Sequence, residues 1–216
     1  MMGPNNLGDI NDMLTLCERL PEDIGGNVIM DWTKSIGITG FKEDDSCRLV
    51  MEELEKEGLE NRNFYFYEFE MTYKSVEEKV PEVRENFKDL VLHLAAHNTK
   101  NTVVLEPGAF STGYTQRDKN GLVPKIDGEN LKTYLESQIN CDNLQRTLSE
   151  KQQGVKIEKS TSSERSIPSY LYSLSLRSEA TWPSLLIKIP PIDETCTKEA
   201  IAEVIRELIQ NAISQF

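Results

Sequence analysis

The sequence predicts an α/β protein, a three-layer α/β/α sandwich around a mostly parallel central sheet. Three observations predict it. From residue 35 onward, short apolar runs of strand length alternate with segments of helical periodicity. Runs such as DLVLHLAA and SLLIKIP are almost continuously apolar, as strands covered by helices on both faces must be. The chain has 216 residues, 38% hydrophobic and 28% charged, enough for one large core.

The elements follow in order. Residues 1–34 carry Gly and Pro with weak periodicity, and read as an extension with one short helix around 11–20. Residues 35–41 (SIGITGF) are a buried first strand, so the domain runs from 35 to 216. Cys47, Val50, Met51 and Leu54 then fall at i, i+3, i+4 and i+7, one face of a helix that Gly58 ends. Residues 63–71 (NFYFYEFEM) are aromatic and strand-like. Ser75 and Glu78 form a capping box for a helix whose face is Val76, Val80, Val83 and Phe87, with Pro81 bending it or lying near its first turns. Residues 89–96 (DLVLHLAA) and 102–106 (TVVLE) are two further strands. Residues 107–130, with several Gly and Pro, read as a long surface excursion. A helix over 142–153, a strand over 154–160, a helix over 166–177 and a strand over 184–190 come next. An amphipathic helix over 197–213 closes the chain, with Ile201, Val204, Ile205, Leu208 and Ala212 inward.

Composition excludes several classes. The net charge is −12 and no Lys/Arg cluster offers to neutralise phosphates, so neither nucleic acid nor an anionic membrane is an expected partner. No apolar run approaches the roughly 20 residues of a membrane span. The first residues show no basic start followed by an apolar run, so no secretory signal is expected. Four separated cysteines (Cys17, Cys47, Cys141, Cys196) read as reduced thiols, which fits a cytosolic location. Two histidines, His93 and His97, are too few for a zinc site, and no metal or cofactor is expected.

In such a sheet, ligands sit at the carboxyl ends of strands. Three ends carry polar groups. Glu106 closes TVVLE and is either a solvated glutamate or a carboxylate able to orient an imidazole or hold a cation. The turn STSSERSIPS leads into a helix whose free N–H groups favour negative charge, with Arg165 close by and Pro168 suited to the first turn. Lys188 lies within LLIKIPP and reads as a charged lysine pairing with a carboxylate, since serving as a base needs its pKa lowered by about three units.

The residues SIGITGF, DLVLHLAA with TVVLE, Gly113-Tyr114, SERSIPSYLYSLSL and LLIKIPP stand in an order and spacing that resembles pyroglutamyl-peptidase I, a cytosolic cysteine peptidase. The resemblance runs from about residue 36 to the C-terminus and implies that family's phosphorylase/hydrolase-like fold. The family uses a Cys–His–Glu triad in which a thiolate attacks, His relays the proton and the carboxylate orients His. Carried over, the Glu falls on Glu106 and the family Arg on Arg165. The nucleophile falls on Pro168, which is inert, and the base on Lys188. The family loop that encloses the pyroglutamyl ring is replaced after Phe41 by the shorter, acidic KEDDSC, with Phe41 left as a substrate contact.

Losing a triad nucleophile costs on the order of a millionfold in kcat. The resemblance therefore implies first a non-catalytic homologue with a binding or scaffold role. A second expectation is a surviving omega-peptidase or hydrolase using Ser169, Cys47 or Lys188, with Ser166 beside Pro168 and His97 as the candidate base. Acidic neighbours Glu43, Asp44 and Asp45 argue against a reactive Cys47, His93 reads as a core histidine, and Cys141 and Cys196 lie away from the matched position. A third expectation is a sensor in which Arg165 and Lys188 grip a small carboxylate or a peptide.

Overall fold

The computed structural model describes residues 34–59, 62–86, 89–124, 133–149, 154–177 and 182–216. The extension before Lys34, with its expected helix around 11–20, lies outside them.

Strand β1 (Lys34–Phe41) buries Ile36 and Ile38 and leads through Asp44 into α1 (Asp45–Glu57). Asp44 caps the helix by accepting from the Cys47 N–H at 3.1 Å, which leaves Cys47, Val50, Met51 and Leu54 as the buried stripe. Strand β2 (Arg62–Phe69) and helix α2 (Tyr73–Asn86) follow. The cap of α2 is Thr72, three residues before the expected Ser75. The Thr72 hydroxyl accepts from the Ser75 N–H and the Ser75 hydroxyl from the Glu70 N–H, both at 3.1 Å. Tyr73 draws the start forward, because its ring packs edge-on against Tyr170 and its N–H donates to Asp118. Pro81 sits inside α2.

After β3 (Leu90–Ala96) and β4 (Thr102–Glu106), the described part of the expected surface excursion is ordered structure instead. Strand β5 (Gly108–Phe110) pairs antiparallel with β6 (Tyr134–Glu136). Tyr114 is buried and its hydroxyl donates to the carbonyls of Phe110 and Ser169. Asp118 is buried too, accepting from the N–H groups of Tyr73, Asn120 and Leu122. A three-residue strand carries too little alternation to be read. Helix α3 (Cys141–Ser149), strand β7 (Lys156–Lys159), helix α4 (Ile167–Leu176), strand β8 (Ser184–Ile189) and helix α5 (Lys198–Ile213) complete the order. All five expected inward residues of α5 are buried.

The main sheet has the order β2-β1-β3-β8-β4-β7. Four of its five pairings are parallel; the β4–β8 pairing is antiparallel. Leu54, Leu144 and Leu208, from α1, α3 and α5, share one core with the sheet, and Val76, Val80 and Leu171, from α2 and α4, share another. These are the three layers. His93 of β3 ties the sheet to one helical layer: its ring nitrogens meet the hydroxyl of Thr39, its partner on the neighbouring strand β1, at 2.8 Å and the Ser175 hydroxyl of α4 at 2.9 Å. Burial pulls its pKa down to about 3, so the ring is neutral at neutral pH.

Because β4 and β7 run against the rest, their carboxyl ends point away from those of β1, β3 and β8. The three strand ends that carry polar groups therefore do not share one edge. What brings their side chains together is the face of the sheet.

Candidate functional site

In the antiparallel β4–β8 ladder, Val104 lies opposite Lys188 and Glu106 opposite Leu186. Alternation places all four on one face, so Glu106 and Lys188 are diagonal neighbours. The Lys188 Nζ lies 2.9 Å from Glu106 Oε1 and 3.0 Å from Glu164 Oε2, which reaches in from the turn after β7. The Glu106 side chain is only 2% exposed, although it ends a strand, whereas Glu164 is 66% exposed. Burial pulls the Lys188 pKa down, but the hydrogen bonding and charge of Glu106, and then of Glu164, outweigh it and the net shift is upward. The side chain is a held cation at neutral pH. Glu106 Oε1 is itself shielded from solvent, so its contact with Lys188 is made out of water.

The turn into α4 carries the next candidates. Ser166 is the N-cap, its hydroxyl accepting from the Ser169 N–H and lying 3.2 Å from the Ser169 hydroxyl. Ser169 is buried in that cap. Pro168 occupies the first turn, where its missing N–H costs nothing. Arg165 faces elsewhere. Its guanidinium lies over the Phe110 ring at 4.1 Å and its Nε donates to the Thr112 carbonyl. Gly113, at φ +90, is the residue that lets this arm lie down, since a Cβ there would meet Arg165 Nε at 2.6 Å.

Phe41 is 1% exposed and packs against Phe69, a core ring in this structure. Around it the short acidic loop is closed down: Asp44 N–H bonds the Phe41 carbonyl, and Glu43 accepts from the Met71 N–H. Burial and then the Asp44 charge push the Cys47 thiol well up, and the thiol donates to Asp44 at 3.0 Å. Burial likewise takes Cys141 up to about 12. Cys196 is buried before α5. His97 Nδ1 accepts from the Thr99 N–H, so its Nε2–H is the nitrogen that donates to the Thr102 carbonyl at 2.7 Å. Both ring nitrogens are engaged.

A cavity of about 460 Å³ opens at Lys188, with His97, Glu106, Ser160, Ser162 and Glu164 among its walls. Pro168 does not line it. A second cavity of about 620 Å³, walled by Pro107, Phe110, Tyr134 and the 159–163 segment, shares Ser160 and Ser162 with the first. Among the described residues, no group of three or more His, Cys, Asp or Glu is placed to hold a metal ion, and no helix is long and apolar enough to cross a membrane.

Sequence reasoning missed Glu164 and the reach of Asp44. The signal for Glu164 is the lysine itself: a cation inside an apolar strand needs compensating charge, and the nearby turn supplies one carboxylate. Asp44 looked like a source of repulsion for Cys47, yet it also accepts from the Ala96 N–H at 2.6 Å and so joins the β1–α1 turn to the end of β3.

Residues 13–193 match the family model described as "Putative pyroglutamyl peptidase PgaPase_1". Solved structures share the fold at low identity. Pyrrolidone carboxyl peptidase from Thermus thermophilus is 17% identical, with a TM-score of 0.69 over 82% of this chain and 99% of that one. The enzyme of that name from Thermococcus litoralis is 14% identical, TM-score 0.69, over 84% and 94%. Pyroglutamyl peptidase I from Bacillus amyloliquefaciens is 13% identical, TM-score 0.68, over 83% and 95%. No curated protein matches the sequence significantly.

Proposed function

The chain belongs to the pyroglutamyl-peptidase family described by PgaPase_1, and we propose that it is a non-catalytic member whose cleft binds a ligand without cleaving it. One observation carries this reading. The residue at the family's general-base position, Lys188, is clasped between Glu106 and Glu164 with its pKa raised. A protonated ammonium cannot take a proton from a nucleophile.

The other groups support the same reading. Pro168 has no nucleophilic atom. Ser169 is spent in the cap of α4, the Cys47 thiol is held protonated, and His97 has both nitrogens engaged. The carboxylate that orients a base in an active member binds a cation here. Without nucleophile or base, preorganised surroundings leave about 10³–10⁴ over the reaction in water.

The test is hydrolysis of a fluorogenic pyroglutamyl amide by the purified full-length protein. We expect a rate no higher than that of a Glu106→Ala variant. Turnover that Glu106→Ala abolishes would establish a working peptidase and overturn the proposal.

A further inference from the structure

We propose that the outer edge of strand β2 pairs with the same strand of a second copy of this chain, antiparallel and centred on Tyr65, so that two sheets join into one. The proposal does not depend on whether the cleft is catalytic.

The two edges of the main sheet differ. Strand β7, at one end, is four residues long with a lysine at each terminus, which protects an edge against pairing with another chain. Strand β2, at the other end, runs for eight residues, RNFYFYEF, with neither Pro nor Lys. The Phe69 carbonyl accepts from the Lys42 N–H beside β1, so Phe69 faces the sheet. Alternation then turns the backbone groups of Phe64, Phe66 and Glu68 outward. Two outward groups are used locally. The Arg62 N–H donates to the Leu59 carbonyl, and Lys79 Nζ donates to the Glu68 carbonyl. Phe64 and Phe66 remain between these ends, and no strand lies beyond them among the described residues. Backbone groups of this kind are satisfied by a further strand.

The side chains say which strand. In a two-fold antiparallel pairing, outward-facing residues must stand opposite one another. Centred on residue 65, Phe64 meets Phe66 of the second copy and Arg62 meets its Glu68. Of the symmetric registers open to β2, this one alone sets Arg62 against Glu68. Neither residue is in an ion pair among the described residues of its own chain, so each brings a charge for the other. Phe64 and Phe66 lie edge-on to each other and pack partly against the core that α1 covers. Paired, they would form a cross-strand aromatic cluster on that face. A hollow of about 390 Å³ has Gly58, Arg62, Phe64 and Phe66 among its walls, which gives the second copy's Glu68 room to reach the guanidinium. Four backbone hydrogen bonds, two aromatic pairs and two ion pairs then repeat across the axis.

Sedimentation equilibrium of the full-length protein from about 1 to 100 µM tests this. The expected result is a concentration-dependent dimer whose Phe64 and Phe66 amides exchange more slowly as it forms. Arg62→Glu and, separately, Glu68→Arg should each weaken the dimer about tenfold, because each sets like charges opposite. Both changes in one chain should restore it. Phe64→Pro, a substitution an edge strand tolerates, removes a ladder donor from each copy and should leave a monomer. A monomer throughout that range would overturn the proposal. So would a dimer that Arg62→Glu and Phe64→Pro leave unchanged, or a double reversal that associates no better than the single variants.

Discussion

Lys188 is the residue on which the cleft depends. A cation inside an apolar strand is stable only if its desolvation is offset by close opposite charge. Glu106 supplies it from a neighbouring strand and Glu164 from a turn. Removing the lysine strands a buried carboxylate, and breaking such a pair costs about 3–5 kcal/mol. Lys188→Met should therefore lower the urea midpoint sharply, while Lys188→Met with Glu106→Gln recovers part of the loss. Simple additivity of the two single variants would contradict the coupling. The pH dependence follows from the upward shift. The pair's contribution is whole below an ordinary lysine's 10.5 and is lost as the pH climbs through the higher folded value. The Glu106–Lys188 partnership was half legible in the sequence, because a glutamate ending one strand and a lysine inside another each lacked an evident partner. Glu164 was not, since nothing local ties a loop residue to a strand 24 positions on.

Elements with strong periodicity were readable and short ones were not. The stripes of α1 and α5 and the runs of β1, β3 and β8 declare themselves because each repeats its period several times. The β5–β6 pair does not, yet it forms the aromatic wall of the second cavity. Its tightest point is Gly108, where a Cβ would lie 2.1 Å from the Leu135 carbonyl oxygen. That neighbour is backbone and cannot step aside. Gly108→Ala should break the pairing of β5 with β6, raise hydrogen exchange at Ala109 and Leu135, and leave β1 and β3 protected. Unchanged protection at Leu135 would contradict the close approach. The cap of α2 shows the other way an element misleads: Ser75 and Glu78 satisfy the local rule, but the fit of Tyr73 against Tyr170 sets the start three residues earlier.

Across the whole molecule, layers are joined by a few buried polar groups as well as by apolar contact. His93 joins Thr39 of the adjacent strand β1 to Ser175 of α4, and so ties the sheet to that helix. Its folded pKa of about 3 lies below the ordinary 6.5, so the unfolded chain takes up a proton first as the pH falls. Stability from keeping this ring neutral is complete above 6.5 and is lost progressively toward 3. His93→Gln should flatten that limb of a plot of Tm against pH, and an unaltered limb would show that other groups set it. The layer architecture was legible because strands and helices alternate; the direction of β4 and β7 was not, because apolar runs carry no sign of which way they point. Strand order has its own consequence for a chain made from one end. Strand β8 separates β3 from β4, so a nascent protein halted before residue 184 has two unfilled edges where the middle of its sheet should be. Assembly of the sheet must wait for nearly the last part of the protein to be synthesised, and truncated products will be prone to aggregate through those edges.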